Sequence, residues 1–151
     1  MIRILICDDS VLFASQLKDA VEASMKKRDL KVKIHEFHCA EEIGSEILSS
    51  CDIAFLDIDF KGKDYNGIDI ARKLRDLHND AVVVFITNYI EYAPAGYEVQ
   101  AFRYILKNEM PQKLESSVDQ IVARLQTERS NIKIQSNGEI IGVPIQDILF
   151  I

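Results

Sequence analysis

The 151 residues carry 18 basic and 24 acidic side chains, a net charge of -6. That balance leaves no basic face for phosphate-backbone contact and argues against a nucleic-acid binder made of these residues alone. No apolar run approaches membrane-spanning length and the N-terminus lacks a signal-peptide pattern, so a cytoplasmic chain with one core of ordinary size is expected, with no membrane partner.

Ile2-Arg3-Ile4-Leu5-Ile6-Cys7 reads as an apolar strand, followed by Asp8-Asp9-Ser10. A helix fits residues 10 to 28, with Ala14, Leu17, Val21 and Met25 on one face. Lys31 to His35 alternates, as a half-exposed edge strand would. A short helix fits 41 to 49, before a central strand at 52 to 57 in which four apolar residues run into Asp57. Lys61 to Gly67 is polar and glycine-bearing, hence a loop. A helix at about 67 to 78 carries Ile70, Ala71, Leu74 and Leu77. Ala81 to Ile86 is a second fully buried strand, ending at Thr87-Asn88. Helical signal is weak from 90 to 97, where Pro94 and Gly96 predict a short or loose helix. Phe102 to Leu106 is a fifth strand ending at Lys107, and a helix spans about 110 to 128.

Five strands alternating with helices predict parallel βαβ units and a doubly wound α/β sheet. The two most apolar strands belong in its middle and the alternating one at an edge, which the order 2-1-3-4-5 satisfies. After about residue 129 the pattern changes. Ile132-Lys133-Ile134 and Ile140-Ile141 flank Ser136-Asn137-Gly138, a hairpin signal, and Ile148 to Ile151 is a third apolar run. Such strands cannot build a core of their own. The expectation is a first domain over 1–128 and, over 129–151, a linker and C-terminal β-hairpin fragment of a second, β-rich domain. Its unpaired strand edges would seek partners, making a homodimer the expected assembly.

Ligand sites in open α/β sheets lie beyond the carboxyl ends of the strands. Asp8, Asp9, Asp57, Thr87 and Lys107 all fall at such ends, on strands that the order above makes neighbours. Clustered carboxylates raise one another's pKa unless a cation joins them, and all-oxygen ligands favour a hard divalent ion such as Mg²⁺. A carboxylate can also be a nucleophile toward phosphorus. With a metal, a lysine and a hydroxyl to hold the transferred oxygens, the set meets most of what phosphoryl transfer requires.

These residues resemble the motifs of a response-regulator receiver domain: Asp8-Asp9, Phe55-Leu56-Asp57, Ile86-Thr87 and Tyr104-Ile105-Leu106-Lys107 match in order and spacing. Glu91-Tyr92-Ala93 and Tyr97 to Tyr104 are similar to the LytTR branch, and Ile132 to Ile151 looks like the opening strands of a LytTR DNA-binding domain. The resemblance implies a flavodoxin-like receiver in a two-component transcription regulator. Asp57 would take a phosphoryl group from a histidine kinase. Asp8 and Asp9 would hold Mg²⁺ with Asp57 and the main-chain carbonyl of Asp59. Thr87 would bond the phosphoryl oxygen, Lys107 would neutralise its charge, and Tyr104 would be the aromatic switch that follows Thr87. The chain would catalyse only its own phosphorylation and dephosphorylation, and would reach DNA only through the full-length parent protein.

Two departures from the family pattern stand out. Phe60-Lys61 replaces the usual Met-Pro pair and Asn66-Gly67 comes about two residues late. Asn108 follows Lys107 where a cis proline is usual, and a trans bond is expected because a non-proline cis bond costs about 3 kcal/mol. These departures keep a phosphate-independent interaction module open as an alternative. Asp57-Ile58-Asp59 also suggests a haloacid-dehalogenase-type phosphatase, although that motif belongs on a first strand. Cys7, Cys39 and Cys51 stand at no metal spacing, and buried packing is the expectation for Cys7 and Cys51. His35, His38 and His78 share no metal spacing and are assigned no role.

Overall fold

The computed structural model describes residues 1–60, 66–77 and 79–137. The strands are β1 (Ile2–Cys7), β2 (Val32–Phe37), β3 (Ile53–Leu56), β4 (Val82–Thr87) and β5 (Arg103–Leu106). The helices are α1 (Val11–Lys27), α2 (Ser45–Ser50), α3 (Gly67–Asp76), α4 (Ala93–Glu98) and α5 (Met110–Asn137). All four strand pairings are parallel, in the order β2-β1-β3-β4-β5 that the sequence predicts. Every residue of β3 and β4 is buried, whereas β2, at one edge, is half-buried along most of its length. A strand with helices on both faces has no solvent side, which is why the central runs do not alternate.

Two compact units divide the chain, Met1–Leu114 and Glu115–Ile151. In the first, one face of the sheet (Leu5, Cys7, Ala54, Leu56, Val83 and Phe85) forms a single cluster with Leu48 of α2 and Ile68, Ile70, Ala71 and Leu74 of α3. The residues between them in the strands, such as Ile4, Ile6, Ile53, Phe55 and Val84, face the other way and are equally buried. α1 packs against β1 and β2, and its buried Ala14, Leu17, Val21 and Met25 stand outside that cluster.

Local chemistry sets the helix starts. Ser10 caps α1 by accepting from the Phe13 N–H at 3.2 Å. Asn66 caps α3 in a reciprocal box with Asp69. Lys26 and Lys27 close α1 where its dipole favours cations. The helix predicted at 41 to 49 splits into a 3₁₀ turn (Ala40–Glu42) and α2, because the extended backbone of Gly44 interrupts it as the N-cap of α2. The weak stretch at 90 to 97 resolves into a 3₁₀ turn (Ile90–Tyr92) and the one-and-a-half-turn α4, with Pro94 in its first turn.

The second unit corrects one expectation. Residues 132–134, predicted as the first strand of a hairpin, continue α5, which runs to Asn137. A strand needs a neighbour for its backbone groups, whereas a helix closes its hydrogen bonds within the segment. Within the helix Leu114, Val118, Ile121, Val122 and Leu125 form the buried stripe that the sequence predicts. The rest of the expected hairpin, from Gly138 onward, lies outside the described residues, as does most of the loop from Lys61 to Gly67.

Candidate functional site

The parallel register brings the strand ends level. Cys7 pairs with Leu56, Leu56 with Phe85, and Thr87 with Leu106. The ladder runs one residue past the strands, with the Asp57 N–H donating to the Cys7 carbonyl at 3.0 Å and the Asp8 N–H to the Phe37 carbonyl at 3.1 Å. Asp8 and Asp57 are thereby fixed side by side by backbone bonds, and both are buried. One carboxylate oxygen from each of Asp8, Asp9 and Asp57 falls within 4.8 Å of the others.

Lys107 reaches into this group from the turn that follows β5. Its Nζ lies 2.8 Å from Asp8 Oδ2 and 3.2 Å from Asp57 Oδ2. Among the described residues there is no cis peptide bond, so the Lys107–Asn108 bond is trans, and the lysine is nevertheless aimed at both carboxylates. Thr87 is fully buried as the last residue of β4 and accepts from the Tyr89 N–H at 3.4 Å. Tyr104 packs against Phe85 with ring centroids 6.1 Å apart, and its hydroxyl donates to the Tyr89 carbonyl. Asp59 lines a cleft of about 570 Å³ together with Asp9, Phe13, Asp57, Tyr89, Lys107 and Asn108.

The electrostatics follow from crowding. Burial, then the charge of Asp8, pushes the Asp57 carboxyl up to about 6, against the pull of Lys107. Burial also raises Asp8, opposed by its hydrogen bonds from Lys107 and from the Ser10 N–H. Burial alone would lower Lys107, but the hydrogen bond to Asp8 and the charges of Asp57 and Asp8 outweigh it and hold the ammonium charged. Cys7, buried directly before the acidic pair, has its thiol raised well above the usual range, by burial first and the Asp8 charge next.

The donor set suits a hard divalent cation. Among the buried side-chain nitrogens and oxygens of the described residues, Asp57 Oδ1 is the one left without a hydrogen-bond partner, an arrangement that asks for an explanation in a native fold. Three carboxyl groups crowd together in the set, with the one ammonium of Lys107 paired to two of them. All the donors are oxygens, as Mg²⁺ prefers.

Sequence reasoning missed two residues here. A Cβ on Gly67 would stand 2.0 Å from the Asp57 carbonyl oxygen, so the first residue of α3 buttresses the acidic loop, and its N–H donates to the Ile58 carbonyl at 3.1 Å. The Asn66-Gly67 pair was visible as a turn signal, but the close approach was not. Phe13 stacks its ring 4.4 Å from Lys107 Nζ, and no local pattern separates such an aromatic from ordinary packing.

Comparison with known proteins agrees with this fold. A family profile for the response regulator receiver domain matches residues 4–119. The sensory transduction protein LytT of Bacillus cereus is 37% identical over 108 residues, covering 71% of this chain and 42% of LytT. The chain therefore spans less than half the length of the relatives of this kind that it matches. A receiver domain from Clostridium thermocellum superposes with a TM-score of 0.68 at 20% identity, over 84% of this chain and 98% of that one. TrrA from Thermotoga maritima, solved in complex with Mg²⁺-BeF, gives a TM-score of 0.65 at 23% identity, over 80% and 99%. The parallel order 2-1-3-4-5 and the match across residues 4–119 establish that the chain belongs to the response regulator receiver domain family, the phosphorylation-switched part of two-component signalling.

Proposed function

We propose that Asp57 is the phosphoryl acceptor and that the cognate donor is a histidine kinase. The observation that carries this reading is the buried Asp57 carboxylate, with one oxygen ion-paired to Lys107 and the other unpartnered. In the transfer a P–O bond forms to Asp57 as the P–N bond of a phosphohistidine breaks. The leaving imidazole keeps the electron pair and is protonated from solvent. Asp8, Asp9 and Asp57, with the Asp59 carbonyl, are the groups that would hold Mg²⁺, whose charge would offset that of the phosphoryl oxygens. Lys107 is placed to follow those oxygens, because it already bridges Asp8 and Asp57. Hydrolysis reverses the modification when water attacks phosphorus and the Asp57 carboxylate leaves, so the chain acts only on its own phosphoryl group.

Thr87 and Tyr104 form the output of the switch in this reading. They share the loop after β4: Thr87 accepts from the N–H of Tyr89, and Tyr104 donates to its carbonyl. A movement of Thr87 toward the phosphoryl group therefore pulls the same residue that anchors Tyr104. In the full-length protein, residues beyond α5 are proposed to open a LytTR DNA-binding domain, brought to DNA as a dimer. Cytoplasmic location follows from a kinase and DNA as partners. Among the described residues, no helix is long and apolar enough to cross a membrane.

The test is exposure of the chain and of Asp57→Asn to acetyl phosphate with Mg²⁺, read by intact mass. One phosphoryl group gained by the native chain and none by the variant is the expected result. No adduct on the folded native chain would reject the acceptor role and favour a phosphate-independent interaction module.

A further inference from the structure

We infer that Phe13 is a positioning residue for phosphoryl transfer, its ring face holding the ammonium of Lys107 over the acidic site. This deepens the acceptor reading above and rests on it. Four contacts close a circuit. The Ser10 N–H donates to Asp8 Oδ1 at 2.8 Å. Ser10 Oγ accepts from the Phe13 N–H at 3.2 Å. The Phe13 ring centroid lies 4.4 Å from Lys107 Nζ. Lys107 Nζ returns to Asp8 Oδ2 at 2.8 Å. The cap that starts α1 thus sets where the ring stands, and the ring meets the lysine on the same carboxylate that orders the cap.

The need for such a partner comes from the lysine itself. Its stem has four rotatable carbons and its ammonium three donors. Asp8 and Asp57 are two partners, and the Phe13 ring is a third. Lys107 also begins a short 3₁₀ turn (Lys107–Glu109), next to an exposed Asn108, so its direction is left to what the side chain touches. A ring face attracts a cation through its quadrupole, without a preferred N–H direction. The ammonium can therefore pivot from Asp57 Oδ2 to a phosphoryl oxygen while staying on the ring. A third carboxylate in the place of Phe13 would hold it back. Phe13 is partly buried and forms part of the cleft wall, so the same ring also keeps water off one side of the ammonium, where the attraction is larger.

The test compares the full chain with Phe13→Leu, which keeps apolar bulk, and Phe13→Tyr, which keeps the ring face. The rate of phosphoryl gain from acetyl phosphate with Mg²⁺ is expected to fall about 3- to 10-fold in Phe13→Leu and to recover in Phe13→Tyr. Proton NMR of the Lys107 ε-methylene gives a second readout: a ring-current upfield shift in the native chain and Phe13→Tyr, lost in Phe13→Leu. A native Lys107 signal without that shift overturns the inference even if Phe13→Leu does not fold. So does Phe13→Leu transferring at the native rate, or both variants falling equally. A native chain that takes no phosphoryl group rejects the acceptor reading and this role together, whereas native transfer indifferent to Phe13→Leu rejects the role of Phe13 alone.

Discussion

Gly67 and Asp57 touch through their backbones: the space a Cβ would fill on Gly67 begins 2.0 Å from the Asp57 carbonyl oxygen and 2.8 Å from its carbon. Both neighbours are main chain, so no side chain can swing away to make room. Gly67→Ala is expected to cost about 1–3 kcal/mol, as overpacking does, and to displace Asp57 from Asp8. Urea unfolding reads the first effect and the rate of phosphoryl gain the second. Native behaviour in both would show that the approach is not tight.

Asp57 makes the metal-free fold sensitive to pH. Its folded carboxyl titrates near about 6, against about 4 in an unfolded chain. Between those values the folded state binds more protons than the unfolded one, so stability falls as pH rises through that window and stays reduced above it. Asp57→Asn removes the charge. In EDTA at about pH 7.5 the variant is expected to be more stable than the native chain by about 1–2 kcal/mol, after allowance for solvent screening, with the gain vanishing by about pH 4. Denaturant titrations at the two pH values check the sign, and Mg²⁺ should erase the difference by stabilising the native chain alone.

The Tyr104 hydroxyl holds the loop after β4 by donating to the Tyr89 carbonyl. The ring remains packed on Phe85 without that hydroxyl. Tyr104→Phe is therefore expected to leave global stability within about 1 kcal/mol while amide hydrogens across 89–93 exchange about 5-fold faster. Unchanged exchange in that loop would mean the hydroxyl does not anchor it.

Arg75 ties the end of α3 to two other segments. Its guanidinium donates to the carbonyls of Val99 at 2.8 Å, Asn79 at 2.8 Å, Ala81 at 2.8 Å and Gln100 at 3.3 Å. Gln100 has φ 57, a left-handed conformation that a non-glycine residue adopts at a cost. Arg75→Met keeps the stem and leaves those carbonyls without their cation, with an expected loss of about 2–3 kcal/mol in thermal or urea unfolding. Arg75→Lys is expected to recover less than half, since one ammonium cannot reproduce the fork.

The acidic site was legible because it needs only strand ends. Apolar runs at 2–7, 53–56 and 81–86 each stop at a polar residue, and parallel topology then brings Asp8, Asp57 and Thr87 together at the carboxyl ends of the strands. Lys107 followed by the same argument. Phe13, Gly67 and Arg75 were not legible in these roles. Phe13 meets Lys107 across 94 positions of sequence, and Arg75 meets carbonyls, which every residue has. Gly67 read as a turn because its approach to Asp57 depends on how α3 docks. At 132–134 the strand reading failed for another reason: three apolar-flanked residues satisfy either periodicity, and the helix already running through them settles the matter.

The thiol of Cys7 lies immediately before the acidic pair and is fully buried, and the Asp8 charge opposes its ionisation further. Peroxides, disulfides and alkylating agents react with thiolate rather than thiol. The sulfur that directly precedes the acidic pair is therefore silent toward oxidants, and phosphoryl transfer at this centre, as proposed, would run without a competing redox signal from Cys7.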